Sequence, residues 1–571
     1  MGKVTGAVAS SIAHARLRPR SFTARRVDAR LIGLGATVGS IAYLLGRSVE
    51  DVYQKPLFED EAVSGLVSAQ PLGELFRTVM WERGGGPLHF LLAHVTLAVD
   101  GSAFALRWLS LVFALATLPL CYDLARRLAG HTAGIAAVVV AATSTMLAVY
   151  GSFARMYTLY AFASALALDL FVRALRRRTG AAAFAAACAA WLLPAIHPFG
   201  AMLVAAEALV ALAVWRGRPL RPALPVAAVA LAMIPFAVAD VRLAGRFDVG
   251  LDGESRIAAP SDAFDQALRA VAASAGGRGW AFGVFLAIAI AGLVVLARRE
   301  PAFAAVAVAC FGIPPILLVY AKTGSDLGLS PRHLIFLLPL TTALVGVGLA
   351  NAVRTWSSRS VALALTGFSA LAIFAPSGGV FDPRDWSNDV LGGGSAGRAL
   401  GGEDALAEPS AWLRRVAGPG DVLFPYSAVY LSALPATGQA TALPYGQSSL
   451  LLETLERAPR PVREVFVSIP LGEASLEHTI LRQELGPRFS YKRFDRWLLI
   501  RTPGPFFDPR DVLEPIRTSL IAARDAVEGN VHYELSWYFA DSLSAVCGSL
   551  RTLGADCPQG VSSRAPPASA G

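Results

Sequence analysis

Apolar segments long enough to cross a lipid bilayer as helices recur along the first two thirds of the chain. A spanning helix needs about 20 apolar residues, with a range near 17–25. Hydrophobic residues make up 54% of the 571 residues and charged residues 16%, against about 25% charged residues in soluble domains. These values exclude a large soluble enzyme, a disordered chain and a coiled coil, and they predict a polytopic membrane protein. We predict eleven spans, at about 31–46, 104–124, 131–149, 157–175, 181–196, 199–215, 222–241, 280–297, 302–320, 332–352 and 361–375.

The arginine clusters set the predicted orientation of these spans. The net charge is +9, but the basic residues form short clusters between apolar segments, so we do not expect nucleic acid as a partner. Examples are Arg126 with Arg127 and Arg298 with Arg299. Because cytoplasmic loops are enriched in Lys and Arg, eleven spans with the N-terminus inside would place these clusters in the cytoplasm and the C-terminus outside.

The apolar segment 86–99 is too short for a span. If it crossed, Arg126 and Arg127 would face outward, so we expect an interfacial or re-entrant helix on the outer side. We do not expect the first span to be a cleaved signal peptide, because a long arginine-rich stretch precedes it and it lacks a clear small-residue cleavage site.

Glycine, proline and charged residues become frequent after about residue 376, which indicates a second domain. Strands predicted at Val422, Val465 and Trp497 alternate with helices at about 403–416, 474–485, 510–527 and 532–551, a pattern that favours a small α/β domain. The predicted fold is an all-α polytopic membrane bundle of about eleven transmembrane helices with a C-terminal extracytoplasmic α/β domain. Its parts are a basic cytoplasmic N-terminus at 1–30, the bundle at 31–376 and the α/β domain at 377–571.

The five cysteines divide into two groups. Cys121, Cys188 and Cys310 lie in apolar spans and are expected to be small core residues. Cys547 and Cys557 lie ten residues apart in the outer domain, where an oxidising compartment would favour a disulfide. Two free thiols are the alternative. The sequence contains no CxxC motif and no zinc-ligand spacing.

Charged residues gather where the predicted outer loops meet the membrane, a costly location that usually has a function. Asp60 and Glu61 follow the first span. They are interpreted as a general base with a second carboxylate or as a metal-binding pair, and the alternative is a solvated acidic turn. Arg155 stands between two spans beside Tyr157, either as an anion clamp for a phosphate or as a snorkelling anchor. Further candidates for substrate binding are Tyr157, Glu82 and His89 and, each with a structural or interfacial alternative, His197, Lys322, Arg332 and His333.

Several of these motifs together resemble the membrane glycosyltransferases of the GT-C superfamily, in particular protein mannosyltransferases, aminoarabinose transferases and RgtA/B/C/D-like enzymes. The motifs are Asp60-Glu61, the Pro87-Leu-His-Phe-Leu-Leu helix, Leu106-Arg-Trp-Leu-Ser-Leu, Ala154-Arg-Met-Tyr and Arg332-His-Leu-Ile-Phe-Leu-Leu-Pro. They cover about residues 30–350. Where such enzymes typically have His-Pro-Pro or Asn-Pro-Pro before the short helix, this chain has Gly85-Gly86-Pro87.

The resemblance implies inverting transfer of a sugar from a polyprenyl phosphate to a glycan, lipid or protein acceptor outside the cytoplasm, at the cell membrane. By this analogy Asp60 is the base, Glu61 supports it or binds the acceptor, and Arg155 and Arg332 contact the phosphate. A divalent cation such as Mg²⁺ or Mn²⁺ at Asp60 and Glu61 is a possible cofactor in this group of enzymes. A transporter and a non-catalytic envelope-assembly protein are the alternatives; a transporter would more often place charges at mid-span and show a paired repeat.

Overall fold

Most of the first 355 residues fold as a helical bundle. In this computed structural model the described residues are 29–54, 57, 59–80, 86–215, 268–272, 280–321, 331–355, 403–433, 440–444, 448–472, 474–528 and 533–557, with isolated positions between 227 and 238. The helices of the bundle are α1 (Ala29–Gln54), α2 (Glu59–Ser68), α3 (Leu72–Thr78), α4 (Leu88–Val99), α5 (Ala105–Ala129), α6 (His131–Thr143), α7 (Thr145–Gly151), α8 (Tyr157–Arg177), α9 (Gly180–Ile196), α10 (Gly200–Trp215), α11 (Trp280–Arg299), α12 (Pro301–Ala321) and α13 (Leu337–Thr355). A short 3₁₀ turn, Pro331–Leu334, precedes α13.

Among the described residues, five helices are long and apolar enough to cross a membrane, namely α1, α5, α8, α11 and α13. The helices α6 and α7, bent by 54° where they meet, would make a sixth span together. The apolar parts of α4, α9, α10 and α12 are shorter. The predicted spans 361–375 and, apart from isolated positions, 222–241 lie outside the described residues. The predicted membrane bundle is therefore confirmed, whereas the count of eleven spans stays a prediction.

Small residues allow the long helices to approach closely. A Cβ atom added at Gly292 in α11 would lie 1.9 Å from the carbonyl oxygen of Leu344 in α13. Helix association inside a membrane relies on such close packing, because lipid tails are as apolar as the helix surfaces. Of the three cysteines predicted to be core residues, Cys121 in α5 and Cys310 in α12 are fully buried, whereas Cys188 in α9 is only partly buried.

The C-terminal domain is a mixed α/β unit. Its elements are α14 (Glu403–Val416), β1 (Val422–Phe424), α15 (Ala428–Ser432), β2 (Thr441–Ala442), α16 (Ser448–Glu456), β3 (Val462–Pro470), β4 (Ser475–Leu476), α17 (His478–Leu485), β5 (Ser490–Arg493), β6 (Trp497–Phe506), α18 (Pro509–Ala526), β7 (Val527–Glu528) and α19 (Tyr533–Thr552). Five strands form a sheet in the order β2-β1-β3-β6-β5, with β1 parallel to β2 and β3 and with β6 antiparallel to β3 and β5.

The predicted elements of this domain match the structure with one correction. The helix predicted at 474–485 is wrong in its first turn, where β4 pairs antiparallel with β7. The amide of Glu477 donates to the carbonyl of Ala526 at 2.8 Å, so the chain follows this neighbouring strand until the helix begins at His478. The predicted domain boundary at 377 lies outside the described residues.

A disulfide joins Cys547 of α19 to Cys557, with Cα atoms 5.5 Å apart. Both cysteines are buried. The bond therefore attaches the segment after the last helix to the core of the C-terminal domain.

One apolar cluster is shared by the bundle and the C-terminal domain. It combines Leu57, which precedes α2, and Ala62 and Leu66 of α2 with Leu431 of α15 and Phe466 of β3, all of them buried. The domain therefore packs directly on α2, the helix that carries Asp60 and Glu61.

Candidate active site

Three separate segments place Asp60 beside two arginines. Asp60 lies in the first turn of α2, and 45% of its side chain is exposed. Nη1 of Arg332, in the 3₁₀ turn, lies 3.5 Å from Asp60 Oδ2. Nη2 of Arg155, in the turn between α7 and α8, lies 4.0 Å from the same oxygen. The structure thus brings together the carboxylate and both arginines that the sequence singled out.

Arg155 is fixed to the helix that carries Asp60. Its Nη1 donates to the main-chain carbonyl of Asp60 at 3.1 Å and to the hydroxyl of Ser64 at 2.9 Å. The guanidinium is therefore oriented before any ligand binds. An oriented, partly buried guanidinium is well suited to bind phosphate oxygens.

Buried polar groups without partners surround the same point. The Nε atoms of Arg155 and Arg332 and the hydroxyl of Tyr150 are buried and have no hydrogen-bond partner within the part of the chain that the structure describes. Tyr150 is close enough to interact electrostatically with Arg332 and Asp60. A buried donor left unpaired costs about 1–3 kcal/mol, so a ligand that supplies acceptor oxygens here would recover that free energy.

Tyr157 contacts Arg332 rather than an open surface. The tyrosine is 1% exposed, and the Arg332 guanidinium lies 6.0 Å from the centre of its ring. The Tyr150 and Tyr157 rings lie 4.8 Å apart. Tyr157, predicted to bind substrate, therefore holds Arg332 by a cation–π contact.

Two of the predicted histidines belong to one aromatic stack. His197 stacks on Tyr160, with ring centres 5.5 Å apart, and packs against Phe199 and His333 at 5.5 and 5.3 Å. His89, in the first turn of α4, is 3% exposed and has no partner for its Nε2 among the described residues.

These histidines are uncharged at neutral pH. Burial, with a smaller contribution from the nearby positive charge of Arg155, lowers the pKa of His89 and of His197 to about 3. Burial, the neighbouring His197 ring and the positive charges of Arg332 and Arg155 likewise lower the pKa of His333 well below its usual value. The imidazoles therefore border the two guanidiniums without adding positive charge.

Glu61 does not face the site. Its carboxylate is fully buried and forms a two-pronged ion pair with Arg107, which is also fully buried, at 2.8 Å from Nε and 2.6 Å from Nη2. Glu61 Oε1 also accepts from the amide of Ala154 at 2.7 Å, and Arg107 Nη1 donates to the carbonyl of Val52 at 3.1 Å. This burial does not fit the alternative in which Glu61 binds the acceptor. It fits the alternative in which Glu61 supports Asp60.

Arg107 was not among the functional residues predicted from the sequence. It stands within Leu106-Arg-Trp, which served only as a marker of resemblance. The signal that could have found it is an arginine followed by a long apolar run, because such a charge needs a buried partner. Glu61, the neighbour of Asp60, is that partner.

The donor set does not fit a divalent cation at Asp60 and Glu61. Both oxygens of Glu61 already accept hydrogen bonds from Arg107, and two guanidiniums approach Asp60. Among the described residues no three His, Cys, Asp or Glu side chains are grouped to hold a metal ion. Glu82 and Lys322, also predicted to bind substrate, lie outside the described residues.

Comparison with solved structures identifies the fold. ArnT from Cupriavidus metallidurans in the apo state matches with a TM-score of 0.55 and 16% identity, covering 82% of this chain and 98% of ArnT. ArnT bound to undecaprenyl phosphate matches with the same TM-score and 14% identity, covering 83% of this chain and 98% of ArnT. The chain therefore shares the fold of ArnT. The predicted resemblance is thus confirmed for the fold.

A weaker likeness extends to the oligosaccharyltransferase AglB from Archaeoglobus fulgidus, in complex with an inhibitory peptide and a dolichol-phosphate. Its TM-score is 0.44 at 12% identity, covering 77% of this chain and 69% of AglB. No family description and no curated protein sequence matches the chain.

Replacing Glu61 with Gln should strongly destabilise the protein. The substitution leaves the charge of Arg107 buried without a counter-ion, and breaking a buried pair in this way costs about 3–5 kcal/mol. We expect a clearly lower melting temperature in detergent. The matched control is Glu74→Gln, which removes an exposed pair with Arg77 on α3 and should change stability by less than about 1 kcal/mol. Equal melting temperatures for the two variants would contradict the role given to Glu61.

Acidification should destabilise the protein through the buried histidines. A histidine held neutral in the folded state is protonated in the unfolded state below pH 6.5, so stability present above that pH is lost as the pH falls towards 3. At pH 5 the loss is up to about 2 kcal/mol for each histidine.

The measurement is the melting temperature in detergent at pH 7.5, 6 and 5. His197→Phe preserves an aromatic ring in the stack and should reduce the pH dependence. The control is His478→Gln, at an exposed position in α17, which should leave the pH dependence unchanged. If His197→Phe melts with the same pH profile as the parent protein, His197 does not contribute to it.

Proposed function

We propose that this protein is an inverting membrane glycosyltransferase that moves a sugar from a polyprenyl phosphate to an extracytoplasmic acceptor. The observation that carries the proposal is the set of unpaired buried donors from Arg155, Arg332 and Tyr150 beside the carboxylate of Asp60. Donors of this kind suit the oxygens of a phosphate, and a partly exposed carboxylate next to them suits a base. The GT-C fold and the undecaprenyl phosphate bound to ArnT support this donor class.

In the proposed reaction, Asp60 takes the proton of the acceptor hydroxyl while the acceptor oxygen forms a bond to the anomeric carbon. The bond between that carbon and the phosphate oxygen breaks, and polyprenyl phosphate leaves with the bonding electron pair. Arg155 and Arg332 stabilise the negative charge that grows on the phosphate. Each of these steps is assigned to side chains of this chain and none to a metal ion.

The proposal includes a location. The protein lies in the cell membrane with its C-terminal domain outside the cytoplasm, as the arginine distribution predicts. The acceptor is then a glycan, lipid or protein that reaches this side of the membrane. A transporter or a non-catalytic assembly protein would keep its function without Asp60 as a base.

The test of the proposal is Asp60→Asn. The amide keeps the shape of the carboxylate but does not accept a proton, so the transfer rate should fall about 10²–10⁴-fold. The assay is transfer from purified polyprenyl-phosphate sugars in liposomes, and the melting temperature should stay near that of the parent protein. Asp100→Asn, at an exposed position after α4, is the control and should be fully active. Transfer by Asp60→Asn at the parental rate would exclude Asp60 as the base.

The arginines should act on donor binding. Arg155→Ala and Arg332→Ala each remove a charge-assisted hydrogen bond of about 1.5–3 kcal/mol, so donor affinity should fall about 10- to 100-fold. Lysine at either position should restore only part of the donor affinity, because the planar fork of the guanidinium is lost. Affinity is measured by titration with polyprenyl phosphate, with Arg77→Ala at an exposed position in α3 as the control. Unchanged affinity in both alanine variants would show that the donor phosphate does not bind at this site.

A further inference from the structure

We propose that helix α15 of the C-terminal domain is a positioning element for the catalytic carboxylate, acting through the contact of Leu431 with Gly65 of α2. This inference rests on the proposed function, since it concerns the placement of Asp60. It gives the C-terminal domain a role in the reaction.

Leu431 leaves no room for a side chain at Gly65. A Cβ atom added at Gly65 would lie 2.3 and 2.8 Å from the two terminal methyl carbons of Leu431 and 3.1 Å from a methyl of Leu106 in α5. Glycine inside a helix costs about 0.5–1 kcal/mol relative to alanine. Its presence in the middle of α2 therefore fits a requirement for close approach at this point.

Leu431 is held in place by the sheet of its own domain. The hydroxyl of Tyr430, the preceding residue, donates towards the carbonyls of Phe424 in β1 at 2.9 Å and Phe466 in β3 at 3.1 Å. The helix start is capped by Ser427, whose hydroxyl accepts from the amide of Val429 at 3.2 Å. Leu431 is itself fully buried. The sheet thus fixes the surface on which α2 rests.

The same stretch of α2 carries the site. Ser64, next to Gly65, accepts a hydrogen bond from Arg155 at 2.9 Å, and the carbonyl of Asp60 accepts a second at 3.1 Å. A shift of α2 away from α15 would therefore move the carboxylate and the arginine contacts together. Misplacement by about 1 Å is enough to reduce a rate about 100-fold.

A size exchange tests this coupling. Gly65→Ala should push α2 away from Leu431 and lower kcat about 10- to 100-fold, with a smaller change in donor affinity. Adding Leu431→Ala to Gly65→Ala removes the methyl groups that clash and should restore at least half of the lost activity on a logarithmic scale. The matched control is Gly73→Ala in α3, where an added Cβ meets nothing within 4 Å, and it should be fully active. Full activity of Gly65→Ala, or a loss that Leu431→Ala does not relieve, would overturn the proposal.

A second measurement needs no transferase activity. In an Asp60→Cys background, the labelling rate of position 60 by a water-soluble maleimide reports where α2 lies, since Asp60 is 45% exposed. Gly65→Ala should change that rate at least threefold, and the double exchange should return it. If no donor is used by the parent protein but the labelling responds in this way, the proposed function fails while the coupling stands. Leu431→Ala alone should also change the labelling rate, and an unchanged rate in both single variants would overturn the coupling.

Discussion

The buried ion pair between Glu61 and Arg107 fixes the geometry on which the site depends. Removing two charges from water costs several kcal/mol for each ion, so the pair is stable only with its further hydrogen bonds to Ala154 and Val52. Those bonds join α1, α2, α5 and the turn before α8. Because Asp60 precedes Glu61 and Arg155 follows Ala154, the pair sets the separation between the carboxylate and the arginine.

The charge balance of the site favours an anion that gains charge during the reaction. Arg155 and Arg332 contribute two positive charges and Asp60 one negative charge, while burial keeps the neighbouring histidines neutral. In the proposed reaction a phosphodiester brings one further negative charge, and the polyprenyl phosphate that leaves carries more negative charge than the phosphodiester did. Interactions that strengthen as this charge develops lower the barrier, whereas equal binding of the ground state and the transition state does not. In the proposed reaction, the two oriented guanidiniums of Arg155 and Arg332 would meet that condition.

The sequence predicted the bundle, the α/β domain and the cluster of Asp60, Arg155 and Arg332, because hydropathy and isolated charges at span ends are local signals. It left open whether Glu61 supports Asp60 or binds the acceptor, since the side on which this carboxylate lies depends on Arg107, 46 residues further on. The first turn of the helix predicted at 474–485 was lost to pairing with β7, a tertiary contact. The predictions at Glu82 and Lys322 lie outside the described residues.

A helix of ten residues such as α2 is marginal on its own, since isolated helices shorter than about 12–15 residues rarely persist in water. Its position must therefore come from its neighbours. On one side the carboxylate of Glu61 anchors it to α5, and on the other Gly65 and Leu66 pack on the C-terminal domain. The carboxylate of Asp60 thus rests between a charged anchor in the bundle and an apolar surface of a separate domain, which is why neither part alone would define the site.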